Sequence, residues 1–305
     1  MQKQELQKSN LNPMKKNIPD FILDLVNAGK LDKALNYQPD EDFLIGTKKA
    51  GKDFFLIGGP CSVESEEMII SSAIEIKKAG GDALRAGAYK PCTYPVKNEI
   101  KGWKEGLQER GLELLIEAKK VSGLEIVSEI MEPKQLEKAY NAIDIIQVGT
   151  RNFQNYSLLD ELSNQDKPVI LKRGTWATIE EILGAAERLL SRKLKKVCIC
   201  LRGVIGAPPY RHIYKSTRWQ PDIMMICALK ELCNIPVIYD PSHATGKRSF
   251  VKSISLSASV AGADGLIIEA HPNPQNSISD PDQAITFEEF NEINNICRKS
   301  KGLIT

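Results

Sequence analysis

A (β/α)8 barrel, an α/β fold, is what this sequence predicts, and three observations predict it. Eight short runs rich in Val, Ile and Leu recur along the 305 residues, and longer amphipathic stretches separate them. No Gly-rich dinucleotide fingerprint follows the first run, as an open doubly wound sheet would lead one to expect. Eight strand–helix units over about 250 residues is the arithmetic of the closed barrel.

Taken in order, residues 1–50 form a short N-terminal extension ahead of a barrel domain at 51–305. Within the extension, the spacing of Phe21, Ile22, Leu25, Val26, Leu31 and Ala34 predicts one amphipathic helix over 20–35. Residues 43–48 and those after Gly51 predict a small hairpin capping the barrel floor. The strands are expected at 54–59, 83–89, 125–130, 145–150, 169–173, 197–202, 237–240 and 265–270. Several are nearly continuous in apolar character, as suits strands covered on both faces. Between them, Glu66 to Lys78 carries Ile69, Ile70, Ala73, Ile74 and Ile76 and stops at Gly80-Gly81, a helix-ending signal. Thr178 with Glu181 forms a capping box that opens a helix whose apolar face is Ile182, Leu183, Ala186, Leu189 and Leu190. Thr286 with Glu289 opens the last helix in the same way, and Lys193 to Lys196 reads as a solvated helix end.

Composition excludes several function classes. The chain has 41 basic and 39 acidic residues, a net charge of +2, mixed along its length. That balance offers no surface for nucleic acid or a membrane. No apolar stretch approaches the ~20 residues a membrane-spanning helix needs. The polar N-terminus lacks the apolar segment of a secretory signal. Seven cysteines without framework spacing argue against a disulfide scaffold, so a reduced, cytoplasmic protein is expected.

Barrel chemistry is built at the C-terminal ends of the strands. Read in order, these ends carry Cys61, then Arg85 and Lys90, Glu129, Arg151, Lys172 with Arg173, Arg202, His243, and finally Glu269 with His271. Singly, each has a structural explanation: cysteine as a small buried hydrophobe, arginine as an ion-pair partner. Together they place polar or reactive groups at every exit of a fold whose interior favours aliphatic residues. Arg85, Lys90, Arg151, Lys172 and Arg202 would crowd five cations into one mouth. That is unfavourable unless a small, multiply charged anion such as a phosphorylated carboxylic acid sits there. Cys61, His243, Glu269 and the downstream Asp280 suit a divalent transition metal such as Mn²⁺, Fe²⁺, Co²⁺ or Zn²⁺. His271, two residues past Glu269 on the same strand face, competes with His243 for the imidazole role, and spacing does not choose between them.

With these residues in view, the chain resembles the 3-deoxy-D-arabino-heptulosonate 7-phosphate (DAHP) synthases, and among them the metal-dependent subfamily related to the 3-deoxy-manno-octulosonate 8-phosphate synthases. The resemblance rests on "GGPCSVES", "LRAGAYKP", "EIMEP", "QVGTRNFQNYSLL", "LKRG", "LRG", "DPSHATGKR" and "IIEAHPNPQNSISD", in family order from about Phe43 onward. It implies a barrel that condenses phosphoenolpyruvate with erythrose 4-phosphate, in the first step of the shikimate route to aromatic amino acids, as a homodimer or homotetramer. It implies Cys61, His243, Glu269 and Asp280 as metal ligands, which favours His243 over His271. It implies Arg85, Lys90, Arg151, Lys172 and Arg202 as phosphoenolpyruvate-binding cations, with Glu129 lining the same site. Metal-independent octulosonate synthases carry Asn where Cys61 stands. Lys90, expected between the anion cluster and the metal, is the preferred proton donor to the new alkoxide.

The sequence departs from the family at the sugar-phosphate motif, usually Lys-Pro-Arg-Thr-Ser and here "KPCTYP". Cys92 replaces the arginine that anchors the aldehyde's phosphate, Thr93 is retained, and Tyr94 replaces a small hydroxyl residue. A thiol does not supply a charge-assisted fork, whose hydrogen bonds are worth about 1.5–3 kcal/mol each. Either Arg211, Arg218 or Lys247 substitutes as the anchor, or the aldehyde differs, being unphosphorylated or bulkier, with Tyr94 against its altered tail. A third reading is a barrel that binds an anionic metabolite and only regulates.

Overall fold

A computed structural model describes residues 18–91, 106–206 and 218–301. The chain enters through two helices, α1 (Asp20–Asn27) and α2 (Asp32–Leu35), where the periodicity predicts one. The break has a local cause. Gly29 adopts φ +68°, and the N–H groups of Gly29 and Lys30 turn back to the Val26 and Leu25 carbonyls, each at 2.8 Å. That left-handed helix end comes without strain at glycine. The carboxylate of Glu187 then accepts the Lys33 and Ala34 N–H groups at 3.1 and 2.6 Å, fixing the start of α2 against the barrel's outer layer.

The hairpin is present but shorter than expected. β1 (Leu44–Ile45) pairs antiparallel with β2 (Lys48–Lys49), so its second arm precedes Gly51 instead of following it. A two-residue turn at Gly46 and Thr47 suffices to reverse the chain. Phe43, Ile45 and Ala50 bury themselves in one cluster with Ile57, Val127, Ile145, Ile170, Ile238 and Ile267, which line the barrel interior. The Gly46 N–H donates to the carboxylate of Glu125, the first residue of its strand, at 2.7 Å, so the hairpin covers the barrel's N-terminal floor.

All eight expected strands form: β3 (Phe55–Gly59), β4 (Ala83–Arg85), β5 (Glu125–Ile130), β6 (Ile145–Val148), β7 (Val169–Lys172), β8 (Val197–Leu201), β9 (Val237–Tyr239) and β10 (Gly265–Glu269). They pair in parallel in chain order, and β10 closes on β3 with Gly265 opposite Phe55 and Glu269 opposite Gly59. Several end earlier than predicted. β4 stops at Arg85 instead of Tyr89, with only an isolated pairing of Gly87 to Ser62 beyond it.

Helices follow the strands: α3 (Glu66–Lys78), α4 (Gln108–Ser122), α5 (Pro133–Ala139), α6 (Tyr156–Leu162), α7 (Ile179–Leu189), α8 (Met224–Leu232), α9 (Pro241–Thr245), α10 (Arg248–Val260) and α11 (Phe287–Lys301). Both expected capping boxes form. Thr178 and Glu181 exchange hydrogen bonds at the start of α7, and Thr286 and Glu289 do so ahead of α11. Lys193 to Lys196 lies past the end of α7 instead of forming a helix end; Leu194 is buried there, while Lys193 and Lys196 pair with Asp166 and Asp42.

The strand alternation sets the site. Successive side chains point to opposite faces, so residues two apart share the interior. Ile170 leads to Lys172, Ile238 to Asp240, Ile267 to Glu269, Val127 to Glu129 and Ile145 to Gln147. An apolar lower barrel thus carries a polar layer at its C-terminal end. Among the described residues, no helix is long and apolar enough to cross a membrane, and the six described cysteines form no disulfide.

Candidate active site

A cavity of about 290 Å³ opens at that C-terminal end. Its wall includes Cys61, Arg85, Lys90, Glu129, Arg151, Lys172, Arg202, His243 and Asp280. These residues come from all eight strand exits, Asp280 from the loop after β10, and Glu269 at the end of β10 is 1% exposed.

On one side, single donor atoms of Cys61, His243, Glu269 and Asp280 lie within 4.8 Å of one another. The His243 Nε2 is 3.8 Å from Cys61 Sγ, 3.8 Å from Glu269 Oε2 and 3.7 Å from Asp280 Oδ2. Cys61 Sγ is 3.5 Å from Asp280 Oδ2. Ligands about 2.0–2.3 Å from a tetrahedral metal stand about 3.3–3.8 Å apart. Thiolate, imidazole and carboxylates at that spacing fit a divalent metal. Glu269 Oε1 is buried without a hydrogen-bond partner among the described residues, which points the same way.

Asp240, fully buried at the end of β9, orients the histidine. Its Oδ1 accepts the His243 N–H at 2.9 Å, and its Oδ2 lies 2.8 Å from His243 Nδ1. That leaves Nε2 facing the group, an arrangement that fixes a metal-binding imidazole. Burial pulls His243 well below its ordinary pKa, so the ring is neutral. Burial, with Glu269 beside it, pushes the Cys61 thiol up to about 11, although Lys90 and Arg85 oppose this. Burial and neighbouring Asp280 raise Glu269. Burial would raise Asp280 too, but His243, Lys90 and Arg218 outweigh it and hold that carboxylate below its usual range. Two acids so close repel, and a dication between them relieves the repulsion.

The cations stand around the same cavity, close to that group. Lys172 pairs with Asp240, Arg85 donates to the Pro60 carbonyl at 3.3 Å, and Arg202 donates to Thr150 Oγ1 at 3.2 Å. Arg85 Nε and Arg202 Nε have no hydrogen-bond partner among the described residues. Burial pulls Arg202 down to about 10, the mark of a guanidinium held in a low-dielectric site. Glu129 stands among them against Gly149, where any Cβ would sit 1.9 Å from its Oε1. Only glycine leaves room for that carboxylate. Lys90 reaches the ligand group, its Nζ 2.6 Å from Cys61 Sγ and 3.5 Å from Asp280 Oδ2. Burial opposes its charge, but Cys61, Asp280 and Glu269 outweigh it and hold the ammonium above its ordinary value.

Two exit residues go elsewhere. Arg173 follows Lys172 and so faces outward, paired with Asp222 and bonded to the Ala177 carbonyl at 2.9 Å. His271 lies past the end of β10, where alternation no longer holds. Its Nε2 is 3.4 Å from Glu64 and does not join the donor group, so of the two competing histidines His243 is the one at the group. Cys92, Thr93, Tyr94 and Arg211 lie outside the described residues. Of the other two anchor candidates, Arg218 lines the cavity, whereas Lys247 stacks over the Phe250 ring. Sequence reasoning missed Asp240, Gln147 and Gln283. The first two continue an inward strand face and were open to that signal. Gln283, which donates to Glu269 Oε2 at 2.5 Å, carries no signal of its own.

A closed parallel barrel whose mouth gathers cations around a small cavity, beside a ligand group for a divalent metal, defines an enzyme class: barrel catalysts that act on small, multiply charged anions. The chain belongs to the DAHP synthetase I family, whose model matches residues 34–305. A phospho-2-dehydro-3-deoxyheptonate aldolase of Thermotoga maritima is 38% identical over 259 residues, covering 84% of this chain and 73% of the relative. The crystal structure of the T. maritima DAHP synthase aligns with TM-score 0.77 at 37% identity, over 85% of this chain and 72% of that one. A truncated form from the same organism aligns with TM-score 0.74 at 35% identity, over 86% of this chain and 92% of that one. A 2-dehydro-3-deoxyphosphooctonate aldolase of Francisella tularensis is 25% identical over 266 residues, covering 83% of this chain and 94% of the relative.

Proposed function

We propose that this chain is a metal-dependent transferase that condenses phosphoenolpyruvate with erythrose 4-phosphate, giving 3-deoxy-D-arabino-heptulosonate 7-phosphate and phosphate, the first step of the shikimate route. One observation carries the reading: a cluster of cations and a metal-ligand group meet at a single cavity of about 290 Å³. Family membership supports it.

Arg85, Lys172, Arg202 and Arg151 bind the carboxylate and phosphate of the enol phosphate and fix its face toward the aldehyde. This turns a bimolecular encounter into a positioned one. A divalent ion such as Mn²⁺, Fe²⁺, Co²⁺ or Zn²⁺, held by Cys61, His243, Glu269 and Asp280, supplies Lewis-acid polarisation of the aldehyde carbonyl. Carbon 3 of the enol phosphate bonds to the aldehyde carbon, and Lys90 gives a proton to the oxygen that becomes alkoxide. Water adds at carbon 2 and loses both protons, one restoring the Lys90 ammonium and one leaving with phosphate, as the bond from carbon 2 to the phosphate oxygen breaks and the carbon 2 carbonyl forms. Residues 1–50 act as an arm on the 51–305 catalytic domain, which works as a homodimer or homotetramer in the cytoplasm.

Cys92 in place of the family arginine favours one further reading, a different aldehyde with the same enol phosphate. One experiment separates the two. Protein loaded with Mn²⁺ is given phosphoenolpyruvate, with and without erythrose 4-phosphate, and loss of the enol phosphate is followed. Consumption that depends on erythrose 4-phosphate is expected. Sparing of the enol phosphate with erythrose 4-phosphate, but consumption with another aldehyde, overturns the first reading.

A further inference from the structure

We propose that Glu64 and His271 form a clamp that positions Asp280 for metal binding; this rests on the reading of the four-residue group as a metal site. Glu64 follows Cys61 by three residues, does not line the cavity, and keeps only 9% of its side chain exposed. Its Oε1 accepts the Ile278 N–H at 2.9 Å and lies 3.1 Å from Ser277 Oγ, whose single proton it shares with the Ser279 carbonyl. Its Oε2 lies 3.4 Å from His271 Nε2. His271 Nδ1 accepts the Asn273 N–H at 3.0 Å, so the neutral ring carries its proton on Nε2, toward Glu64. One carboxylate on the loop that carries Cys61 thus holds Ile278 by a hydrogen bond and stands within 3.4 Å of Ser277 and His271, all on the loop that carries Asp280.

The link runs on to the ligand. Ser277 Oγ lies 2.7 Å from the Ser279 carbonyl, and Ser279 Oγ donates to Asp280 Oδ2 at 3.3 Å. Asp280 itself sits at φ +57°, a left-handed conformation that an aspartate adopts at a cost and that its surroundings must enforce. Without Glu64, nothing else among these contacts ties residues 277 and 278 to the Cys61 loop. Two ligands from different loops need their mutual distance set, and partners that do this for metal ligands are typically worth 10–100-fold in affinity.

The test is a Co²⁺ titration of the whole chain, read by the thiolate-to-cobalt absorption that Cys61 would give. Glu64→Ala is expected to weaken Co²⁺ binding about 10- to 100-fold, while phosphoenolpyruvate affinity without metal, set by the cavity cations, stays as it was. Glu64→Gln keeps an acceptor for the Ile278 N–H but presents an amide N–H₂ to His271, so a smaller loss is expected. Saturating Co²⁺ should restore turnover in both. No cobalt–thiolate band in the unsubstituted protein overturns the metal reading and the clamp with it. A normal band with unchanged affinity in the variants overturns the clamp alone. Should Glu64→Ala not fold, the same criterion applies to Glu64→Gln and to Ser277→Ala, and unchanged affinity in both sinks the clamp.

Discussion

Lys90 lies against Cys61 Sγ and Asp280 and lines the same cavity as Arg85, Lys172 and Arg202. A proton donor held there acts on the alkoxide only as it forms, so its removal should slow the chemical step more than it weakens binding. Lys90→Met is expected to lower kcat about 10²- to 10⁴-fold with a smaller change in KM for phosphoenolpyruvate; steady-state kinetics retaining near-normal turnover would remove Lys90 from the role. At this scale the sequence was legible where a side chain stands directly at a strand exit, as Cys61, Arg85, Lys172 and Arg202 do. It was not legible where a residue acts only through a contact made across the fold. Asp240 matters because it meets Lys172 and His243 at once, and Gln283 because it reaches Glu269. Arg173 shows the converse error: one residue beyond Lys172, it points to the other face and holds Asp222.

Among the elements, the strands were legible because parallel strands covered on both faces are apolar almost throughout. Their ends were less so, since β4 yields to loop at Arg85 although apolar residues continue to Tyr89. The one long helix expected in the arm fails at Gly29, where backbone freedom decides against periodicity. The β1–β2 hairpin earns its place through Phe43, which is fully buried among the inward-facing aliphatics of the barrel floor. Phe43→Ala should therefore cost about 3–5 kcal/mol of stability, read as a lower denaturant midpoint, while turnover per folded molecule in mild conditions stays unchanged. A midpoint that does not move would show the hairpin to be an ornament of the floor instead of part of its core.

For the molecule as a whole, the site couples to the fold through charge. Buried Glu269 stands beside half-buried Asp280, and the thiol of Cys61 is pushed up to about 11 by burial and by Glu269. A dication satisfies all three, so folding and metal binding should be linked. With free metal at a hundred times its dissociation constant, the gain is about 2.7 kcal/mol, which for a chain of this size is several degrees in Tm. Chelator treatment is expected to abolish turnover and lower Tm together, and added Mn²⁺ to restore both; activity that survives complete chelation would separate this chain from metal-dependent catalysis. The left-handed backbone at Asp280 has a last consequence, for evolution and for engineering alike. Glycine takes that conformation freely and asparagine and aspartate at a smaller cost than most residues, and of these only aspartate brings a negative charge. Shape and chemistry thus select the same residue independently. Anyone retuning metal preference will find more freedom at positions 61 and 269 than at 280, where glutamate, histidine or cysteine would be strained before any ion was offered.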